Sequence, residues 1–309
     1  MFRVIQRYRK GPILRHPMLP CLSPYHTLNL TSGCPNRCAY CYAQSYGHHP
    51  GWGTVVFFEN TLDLLRKELP RKRKKPVMVY FSTASEPFLP VPEILDQMYG
   101  IMELLLESDI FALISSKCSI PHSFVELFAK YPGKVHVQVG LTTLDDQIRS
   151  MVEPRAASTP ERVDNLRRLV KAGVSAEPRM DPLIPGLSDS LESFMECMEK
   201  INVKTAAASF LFMRRGLDPM KRLTFNEWNF VEMARRLYTH KVTNYCGHGV
   251  IWIPHQDYRR EKYQLLRETG SSHGIDVHLC RCKNADLTKD FCMTHPNPEA
   301  EAQQDFFCQ

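Results

Sequence analysis

The chain of 309 residues lacks any apolar run approaching 18 residues, and this absence argues against a membrane-spanning helix. Its first ten residues carry three arginines and lack the apolar segment of a secretory signal. It also lacks internal repeats and low-complexity linkers. We therefore expect a cytoplasmic protein with no membrane partner.

Nothing in the composition indicates disorder, because hydrophobic residues make up 43% of the chain and include 16 Phe and 12 Tyr. The formal net charge of +6 comes largely from two basic stretches, residues 3–15 and 71–75. Such stretches can contact phosphate backbones, but one short run is a weak signal. We favour a solvated turn at residues 71–75, and nucleic acid is a weakly supported partner.

The chain has 11 cysteines, an odd number, and no secretory signal, which argues against a disulfide framework. Clustered cysteines then indicate metal or redox chemistry. One cluster lies near the start and one near the end of the chain. Four other cysteines stand apart and are expected to be small buried hydrophobes: Cys21, Cys118, Cys197 and Cys246.

Short β-type runs alternate with longer helical patterns, which is typical of parallel strands joined by crossover helices. The predicted fold class is α/β, a partial (β/α)6 barrel with its chemistry at the carboxyl ends of the strands. We predict an N-terminal basic segment (1–26), the barrel (27–215) and a C-terminal α+β extension with a cysteine-containing tail (216–309). The predicted strands are 27–30, 77–82, 111–115, 135–141, 174–180 and 206–213, and the helices between them are 61–69, 92–107, 121–130, 160–172 and 188–200.

Some helix ends carry recognisable signals. Thr159 can cap a helix that begins at Pro160, and Gly173 suits its end. Thr224 and Glu227 form a capping-box pattern, which predicts a helix start at Thr224. Beyond it we expect strands near 250–253 and 275–279 and a helix near 258–269.

Three cysteines follow the first predicted strand with the spacing C-x3-C-x2-C: Cys34, Cys38 and Cys41. Cysteine thiolates are the usual ligands of a [4Fe–4S] cluster, and three of them leave the fourth iron open for a substrate or cofactor. The alternatives are a zinc site, which usually takes four protein ligands, or buried free thiols. We favour the iron–sulfur cluster.

The tail offers a second set of thiols. They could ligate an auxiliary iron–sulfur cluster or one zinc ion, with His278, His295 or Cys246 as substitutes. The alternative is a set of reduced thiols on a loose tail. The cysteines are Cys280, Cys282, Cys292 and Cys308.

With this triad the chain resembles the radical S-adenosylmethionine superfamily, and most closely its spore photoproduct lyase-like group. Further stretches match that group in order: 80–88, 114–117, 153–158 with Arg162, and 181–186. The resemblance covers roughly residues 27–214. It implies that the cluster cleaves S-adenosylmethionine reductively to a 5′-deoxyadenosyl radical, with a flavodoxin- or ferredoxin-type reductant as partner.

The resemblance also implies cofactor contacts. Lys117 would pair with the methionine carboxylate, and the backbone of Tyr40 would lie near the adenine. Hydroxyls and a carboxylate would receive the methionine ammonium, and Ser116 is a further hydroxyl candidate. We interpret Glu153, Arg155 and Arg162 as a structural charge network. The residues predicted around the ammonium are Ser82, Thr83, Ser85 and Glu86.

One position departs from the lyases, which carry a hydrogen-donating cysteine where this chain has Thr83. Threonine holds its hydrogen too tightly for that role, so repair of thymine photoproducts is in doubt. The substrate is open between a small molecule, a peptide and nucleic acid. The alternative function is a zinc-stabilised nucleic-acid-binding module without catalysis.

Overall fold

A computed structural model describes residues 2–17, 22, 25–214, 220–243 and 249–290. The strands are β1 Arg3–Arg7, β2 His26–Leu28, β3 Thr31–Ser32, β4 Thr54–Phe58, β5 Met78–Phe81, β6 Phe111–Ser116, β7 Val135–Gly140, β8 Ser175–Leu183, β9 Thr205–Phe210, β10 Thr224–Phe225, β11 Trp228–Asn229, β12 His240–Val242, β13 Ile251–Ile253 and β14 Asp276–Leu279. The α-helices are α1 Thr61–Glu68, α2 Pro92–Glu107, α3 His122–Ala129, α4 Asp146–Val152, α5 Thr159–Lys171, α6 Leu191–Lys200, α7 Phe230–Leu237 and α8 Gln256–Ser272.

The central sheet has seven strands in the order β14-β9-β8-β7-β6-β5-β2, and all neighbours are parallel. The predicted α/β partial barrel is confirmed. It contains one strand more than expected, because β14 from the C-terminal region pairs with β9 in the register Val277 to Ala206. Part of the predicted C-terminal extension thus continues the barrel sheet.

The outer face of the sheet packs against the helices. Along α2 the buried residues recur on one face: Ile94, Met98, Ile101, Met102 and Leu105 are each fully buried. This spacing is that of an amphipathic helix. Burying each such side chain contributes on the order of 2 kcal/mol, so this interface anchors the helix to the sheet.

The N-terminal basic segment forms part of a small second sheet, in the order β1-β4-β3. Strand β1 runs parallel to β4, and β4 pairs antiparallel with β3. The guanidinium of Arg9 lies over the ring of Phe58, 5.0 Å from its centroid. This basic segment is therefore partly a structural element.

The predicted start of α5 is wrong by one residue. Ser158 is the N-cap, and it forms a reciprocal capping box with Glu161. Thr159 is instead the first helical residue and is buried. The stop at Gly173 is as predicted, with φ of +73°.

The predicted helix start at Thr224 is also wrong. Residues 224 and 225 form β10, which pairs with β11 across a two-residue turn at Asn226 and Glu227. Asn226 has φ of +51°, a left-handed conformation that Asn tolerates and a helix excludes. Helix α7 begins only at Phe230, where the side chain of Asn229 caps it.

Among the residues described, no helix is both long and apolar enough to cross a bilayer.

Candidate functional site

The cysteine triad lies on the loop that follows β3, a strand of the small second sheet that comes directly after the carboxyl end of β2 in the central sheet. Gly33 precedes it with φ of +83°, and a Cβ there would lie 2.5 Å from the carbonyl oxygen of Thr54. Glycine is therefore required where this cysteine loop, residues 33–42, begins. The Cys41 N–H donates to the Cys38 carbonyl at 3.1 Å, which closes a tight turn.

The three thiols are free of disulfides; Cys38 is buried, and Cys34 and Cys41 are half-buried. Burial raises the pKa of each thiol, so iron binding must displace protons. Within the described ranges, no three His, Cys, Asp or Glu side chains could together hold one metal ion. A four-iron cluster binds each thiolate through a different iron, so three soft donors spaced along one turn fit it better than they fit zinc.

Glu86 is buried beneath this loop and held by uncharged donors. Its carboxylate accepts from the Ser116 hydroxyl at 2.5 Å and from the backbone N–H of Lys117 at 3.0 Å. The side chain of Asn36, in the cysteine loop, donates to it at 3.5 Å. Burial raises the pKa of Glu86 and these hydrogen bonds oppose the rise. Glu86 therefore ties β6 to the cysteine loop.

Glu153 is fully buried beside Tyr40 of the loop and is held by cations. Arg162 lies 2.5 Å and Lys117 lies 3.4 Å from its carboxylate oxygens, and the Tyr40 hydroxyl donates to it. Thr142 donates at 3.0 Å. Burial alone would raise the pKa of Glu153, but the two cations and Tyr40 lower it to about 2.

Of the three residues expected to form a charge network, Glu153 and Arg162 pair with each other and Arg155 does not join them. The side chain of Arg155 is exposed and lies outside the network, while its backbone N–H donates to the carbonyl of Asn36 at 3.1 Å. Arg162 is fully buried and also donates to the carbonyl of Gly140 at 2.8 Å. The ion pair is thus built into the fold.

Lys117 lies between the cysteine loop and Glu153, with its ammonium 5.8 Å from the Tyr40 ring centroid. Its side chain crosses Gly140, where a Cβ would lie 2.8 Å from Lys117 Cγ. Two cations, Lys117 and Arg162, face the single carboxylate of Glu153. This leaves one excess positive charge, which suits a carboxylate ligand.

The predicted hydroxyls fall into two groups. Ser82 and Ser85 each have a buried Oγ without a hydrogen-bond partner, which suits contact with an ammonium. The Thr83 hydroxyl instead accepts from Asn29 at 3.4 Å, and its carbonyl accepts from the Tyr42 hydroxyl. Ser116 donates to Glu86 as described above and thus supports that carboxylate.

Sequence reasoning missed Arg214, which follows β9. Its guanidinium donates to the carbonyl of Tyr42 at 2.7 Å, to the carbonyl of Cys41 at 3.4 Å and to the hydroxyl of Ser45. It therefore ties the cysteine loop to the far side of the barrel. No local motif marks this residue, because the contact spans more than 165 positions.

A line of polar side chains crosses the inner face of the sheet. The Tyr80 hydroxyl lies 2.8 Å from the Ser115 hydroxyl, which donates to Gln138 at 3.2 Å. Arg179 donates to Gln138 and Asp181, each at 2.8 Å. The line thus presents hydrogen-bond donors and acceptors on the inner face of the sheet.

The described tail thiols lie inside the barrel. Cys280 is buried with Met78 and Phe111, and Cys282 contacts the same apolar cluster. Among the residues that the structure covers, neither belongs to a group that could hold a metal ion. Cys292 and Cys308, as well as the suggested substitutes Cys246 and His295, lie outside the described residues.

The isolated cysteines differ in burial. Cys118 is buried as expected, with its thiol 3.6 Å from the Asn36 side-chain oxygen, whereas Cys197 is only half-buried. Cys21 lies outside the described residues, as does Cys246. These thiols are not part of the cysteine loop.

The basic run at residues 71–75 precedes β5 and so lies at the amino edge of the sheet, whereas the cysteine loop lies at the carboxyl edge. Four of its five residues are exposed. The solvated turn expected there agrees with this exposure. Because the run is at the opposite edge, it does not line the site.

Sequence comparison finds enzymes among the proteins that are similar to this chain. The model of the radical SAM superfamily matches residues 28–201, which is 174 of 309 residues. An uncharacterized protein of Acidianus two-tailed virus is 24% identical over 75% of this chain and 83% of its own length. A radical SAM Nalpha-GlyT isomerase of Pseudomonas phage M6 is 25% identical over 84% of this chain. The match spans only 54% of the isomerase.

Solved structures share the fold. Spore photoproduct lyase complexed with dinucleoside spore photoproduct has a TM-score of 0.64 and 13% identity, covering 89% of this chain and 82% of that chain. A lyase variant with bound AdoMet and the same dinucleoside has a TM-score of 0.61 and 13% identity, covering 82% and 75%. At these identities the likeness shows the architecture alone.

Proposed function

This chain belongs to the radical SAM superfamily, and from that premise we propose that Cys34, Cys38 and Cys41 hold a [4Fe–4S] cluster beside bound S-adenosylmethionine. When bound, the cluster supplies one electron that cleaves S-adenosylmethionine to a 5′-deoxyadenosyl radical, which abstracts hydrogen from a substrate. The observation that carries the proposal is the position of three free thiols on one loop whose Tyr40 hydroxyl donates to Glu153, the carboxylate that pairs with Lys117.

The protein's own residues bind and orient the cofactor. We assign Lys117 to the methionine carboxylate, because Glu153 neutralises only one of the two adjacent cations. Ser82 and Ser85 would accept hydrogen bonds from the methionine ammonium through their unpartnered hydroxyls. Glu86 would act through the backbone of Lys117, which it holds, and Tyr40 would place its backbone near the adenine.

Family membership makes the chain an enzyme, so the alternative of a noncatalytic zinc-stabilised module is wrong. We propose a reaction other than thymine photoproduct repair. Thr83 lacks an abstractable S–H, and its carbonyl is already bound by Tyr42. The polar line from Tyr80 to Asp181 gives the substrate a hydrogen-bonding wall.

Two further predictions stay proposals. The tail could carry an auxiliary metal through Cys280 and Cys282 together with Cys292 and Cys308. Radical SAM enzymes need an electron donor, and we propose a flavodoxin- or ferredoxin-type protein in the cytoplasm, where free thiols stay reduced.

The decisive experiment is anaerobic reconstitution with counting of iron and sulfide. We expect about four irons per chain on the cysteine loop. A triple alanine variant at Cys34, Cys38 and Cys41 should lose them, and Cys118→Ala, a nearby buried thiol, should keep them. A Cys280→Ala/Cys282→Ala variant reports any second site by a separate loss of metal.

Dithionite and S-adenosylmethionine are then added, and 5′-deoxyadenosine is measured by chromatography. The wild type and Cys118→Ala should form it, and the triple variant should not. Wild-type protein that binds iron at these cysteines but never cleaves the cofactor would overturn the proposed function.

A further inference from the structure

The outer side of the cysteine loop presents one charged residue to solvent. Within residues 33–42, all of them described, Arg37 and Tyr42 are exposed, and Arg37 is the one that carries a charge. Its guanidinium lies over the ring of Trp52, 5.3 Å from the centroid, and this cation–π contact fixes the charge at the surface. Trp52 is itself 43% exposed, although large aromatic side chains are usually covered.

A second cation lies beside the first. Arg155 is exposed, and its backbone N–H donates to the carbonyl of Asn36, the neighbour of Arg37. Neither Arg37 nor Arg155 forms an ion pair with any residue in the described part of the chain. The edge of the His49 ring faces Trp52, with centroids 6.5 Å apart. We call Arg37, Trp52, His49 and Arg155 the Arg37 surface.

The protein itself covers the other sides of the loop. Ala39 packs in a buried apolar cluster that includes Val152 and Phe230. Arg214 binds the carbonyls of Cys41 and Tyr42. The loop can therefore be approached most directly from the Arg37 surface.

We propose that the Arg37 surface is the docking site for the acidic protein that delivers the electron, a carrier of the flavodoxin or ferredoxin type. This inference rests on the proposed function. Arg37 and Cys38 are consecutive, with Cα atoms about 3.8 Å apart, so a carrier bound at Arg37 lies next to a proposed cluster ligand. The reduced carrier is oxidised by one electron, and the cluster on the cysteine loop is reduced by one.

Charge favours this partner. Two exposed guanidinium groups without ion pairs attract and orient an acidic carrier, and such steering weakens with salt. A single-stranded nucleic acid would also use cations and an aromatic ring. The ring of Trp52, however, is partly covered by Arg37, which leaves less of it for a stacked base. The carrier is therefore the better match.

The test compares two charge reversals of equal size, Arg37→Glu and Lys74→Glu. Lys74 is exposed at the opposite edge of the barrel and serves as the matched control. Reconstituted enzyme is mixed anaerobically with reduced flavodoxin, and reduction is followed by the loss of visible cluster absorbance, without S-adenosylmethionine. The same variants are then reduced with dithionite.

At low salt we expect Arg37→Glu to slow reduction by flavodoxin about tenfold or more, and Lys74→Glu to leave it within about twofold. Reduction by dithionite should be the same for all proteins. Added salt should slow the wild type towards the rate of Arg37→Glu. Arg155→Glu should give a smaller slowing, of about threefold.

Equal flavodoxin rates for Arg37→Glu and wild type would overturn the proposal. So would an unchanged rate combined with lost binding of a labelled single-stranded oligonucleotide, which would assign the surface to nucleic acid. If Arg37→Glu also slows reduction by dithionite, the substitution has damaged the loop. Arg155→Glu then decides: an unchanged rate of reduction by flavodoxin in this variant would overturn the proposal. Cluster reduction without later cofactor cleavage would refute the proposed function and leave the docking result standing.

Discussion

Two buried glutamates contact different residues of the cysteine loop and differ in what holds them. Glu86 is bound by a hydroxyl and by backbone N–H groups, whereas Glu153 is bound by Arg162 and Lys117. Both are almost inaccessible to solvent. Burial raises the pKa of Glu86, but the cations bring that of Glu153 down to about 2.

The comparison indicates that the charge of the partners, rather than the depth of burial, sets the direction in which the pKa of a buried carboxyl group shifts. Lys117 joins the two sites, because its backbone N–H binds Glu86 and its ammonium pairs with Glu153. Glu86 thus holds the backbone of Lys117, and Glu153 pairs with its ammonium group. The following predictions change one side of this arrangement at a time.

Replacing Arg162 has the largest expected effect. Arg162→Gln leaves the charge of Glu153 buried with a weaker partner, so we expect a loss of about 3–5 kcal/mol in the free energy of unfolding. Urea denaturation measures it. Arg167→Gln, in the same helix but half-exposed beside Asp164, should cost less than about 1 kcal/mol. Equal losses for the two variants would contradict the role of the buried pair.

Glu153→Gln should give a loss of stability that depends on pH. The folded-state pKa lies below its ordinary value of 4.5, so the charge stabilises the fold above that pH, and the benefit disappears as pH falls towards 2. At pH 7 the difference from wild type should be roughly 3 kcal/mol. Urea denaturation of the metal-free protein between pH 7 and 2.5 measures the gap.

Glu86→Gln should change the free energy of unfolding with the opposite dependence on pH. The folded-state pKa of Glu86 is raised, so its contribution is present at low pH and lost as pH rises above 4.5. Wild-type stability relative to Glu86→Gln should therefore fall with rising pH. Parallel pH profiles for the two glutamine variants would show that the contrast between the sites is wrong.

Gly140→Ala should affect Lys117 without removing it. A Cβ at this position overlaps the lysine side chain, which must shift from its present place beside Tyr40 and Glu153. We expect the dissociation constant for S-adenosylmethionine to rise about tenfold or more, because a charge-assisted hydrogen bond is lost. Gly47→Ala, where a Cβ meets no atom within 4 Å, should leave it unchanged. Equilibrium dialysis with the reconstituted enzyme decides between these outcomes.

The smallest effect is expected at the cap of α5, the helix that carries Arg162. Ser158→Ala should lower the free energy of unfolding by about 1 kcal/mol, since the capping box with Glu161 is lost. Thr159→Val should change it by less than about 0.5 kcal/mol, because Thr159 is the first helical residue and does not cap the helix. A larger loss of stability for Thr159→Val than for Ser158→Ala would show that Thr159, rather than Ser158, caps the helix.

Local patterns predicted some elements well. The helical pattern from Pro92 to Glu107 predicts α2 with the ends that the structure shows, and Gly173 marks the end of α5. They failed where two signals compete within a few residues. Ser158 and Thr159 can both cap a helix, and the left-handed Asn226 overrides the capping pattern that begins at Thr224.

By itself the sequence determined the parallel α/β fold and the cysteine loop at the end of an early strand. These two follow from periodicity and from spacings of a few residues, which local chain geometry fixes. The other stretches of the site came from the resemblance to the radical SAM superfamily. Only the tertiary structure decided that β14 joins the barrel, that Arg214 ties down the cysteine loop and that the pKa of Glu86 is raised while that of Glu153 is lowered. Such contacts join residues far apart in the chain, and a carboxyl group's ionisation depends on the charges that folding places around it.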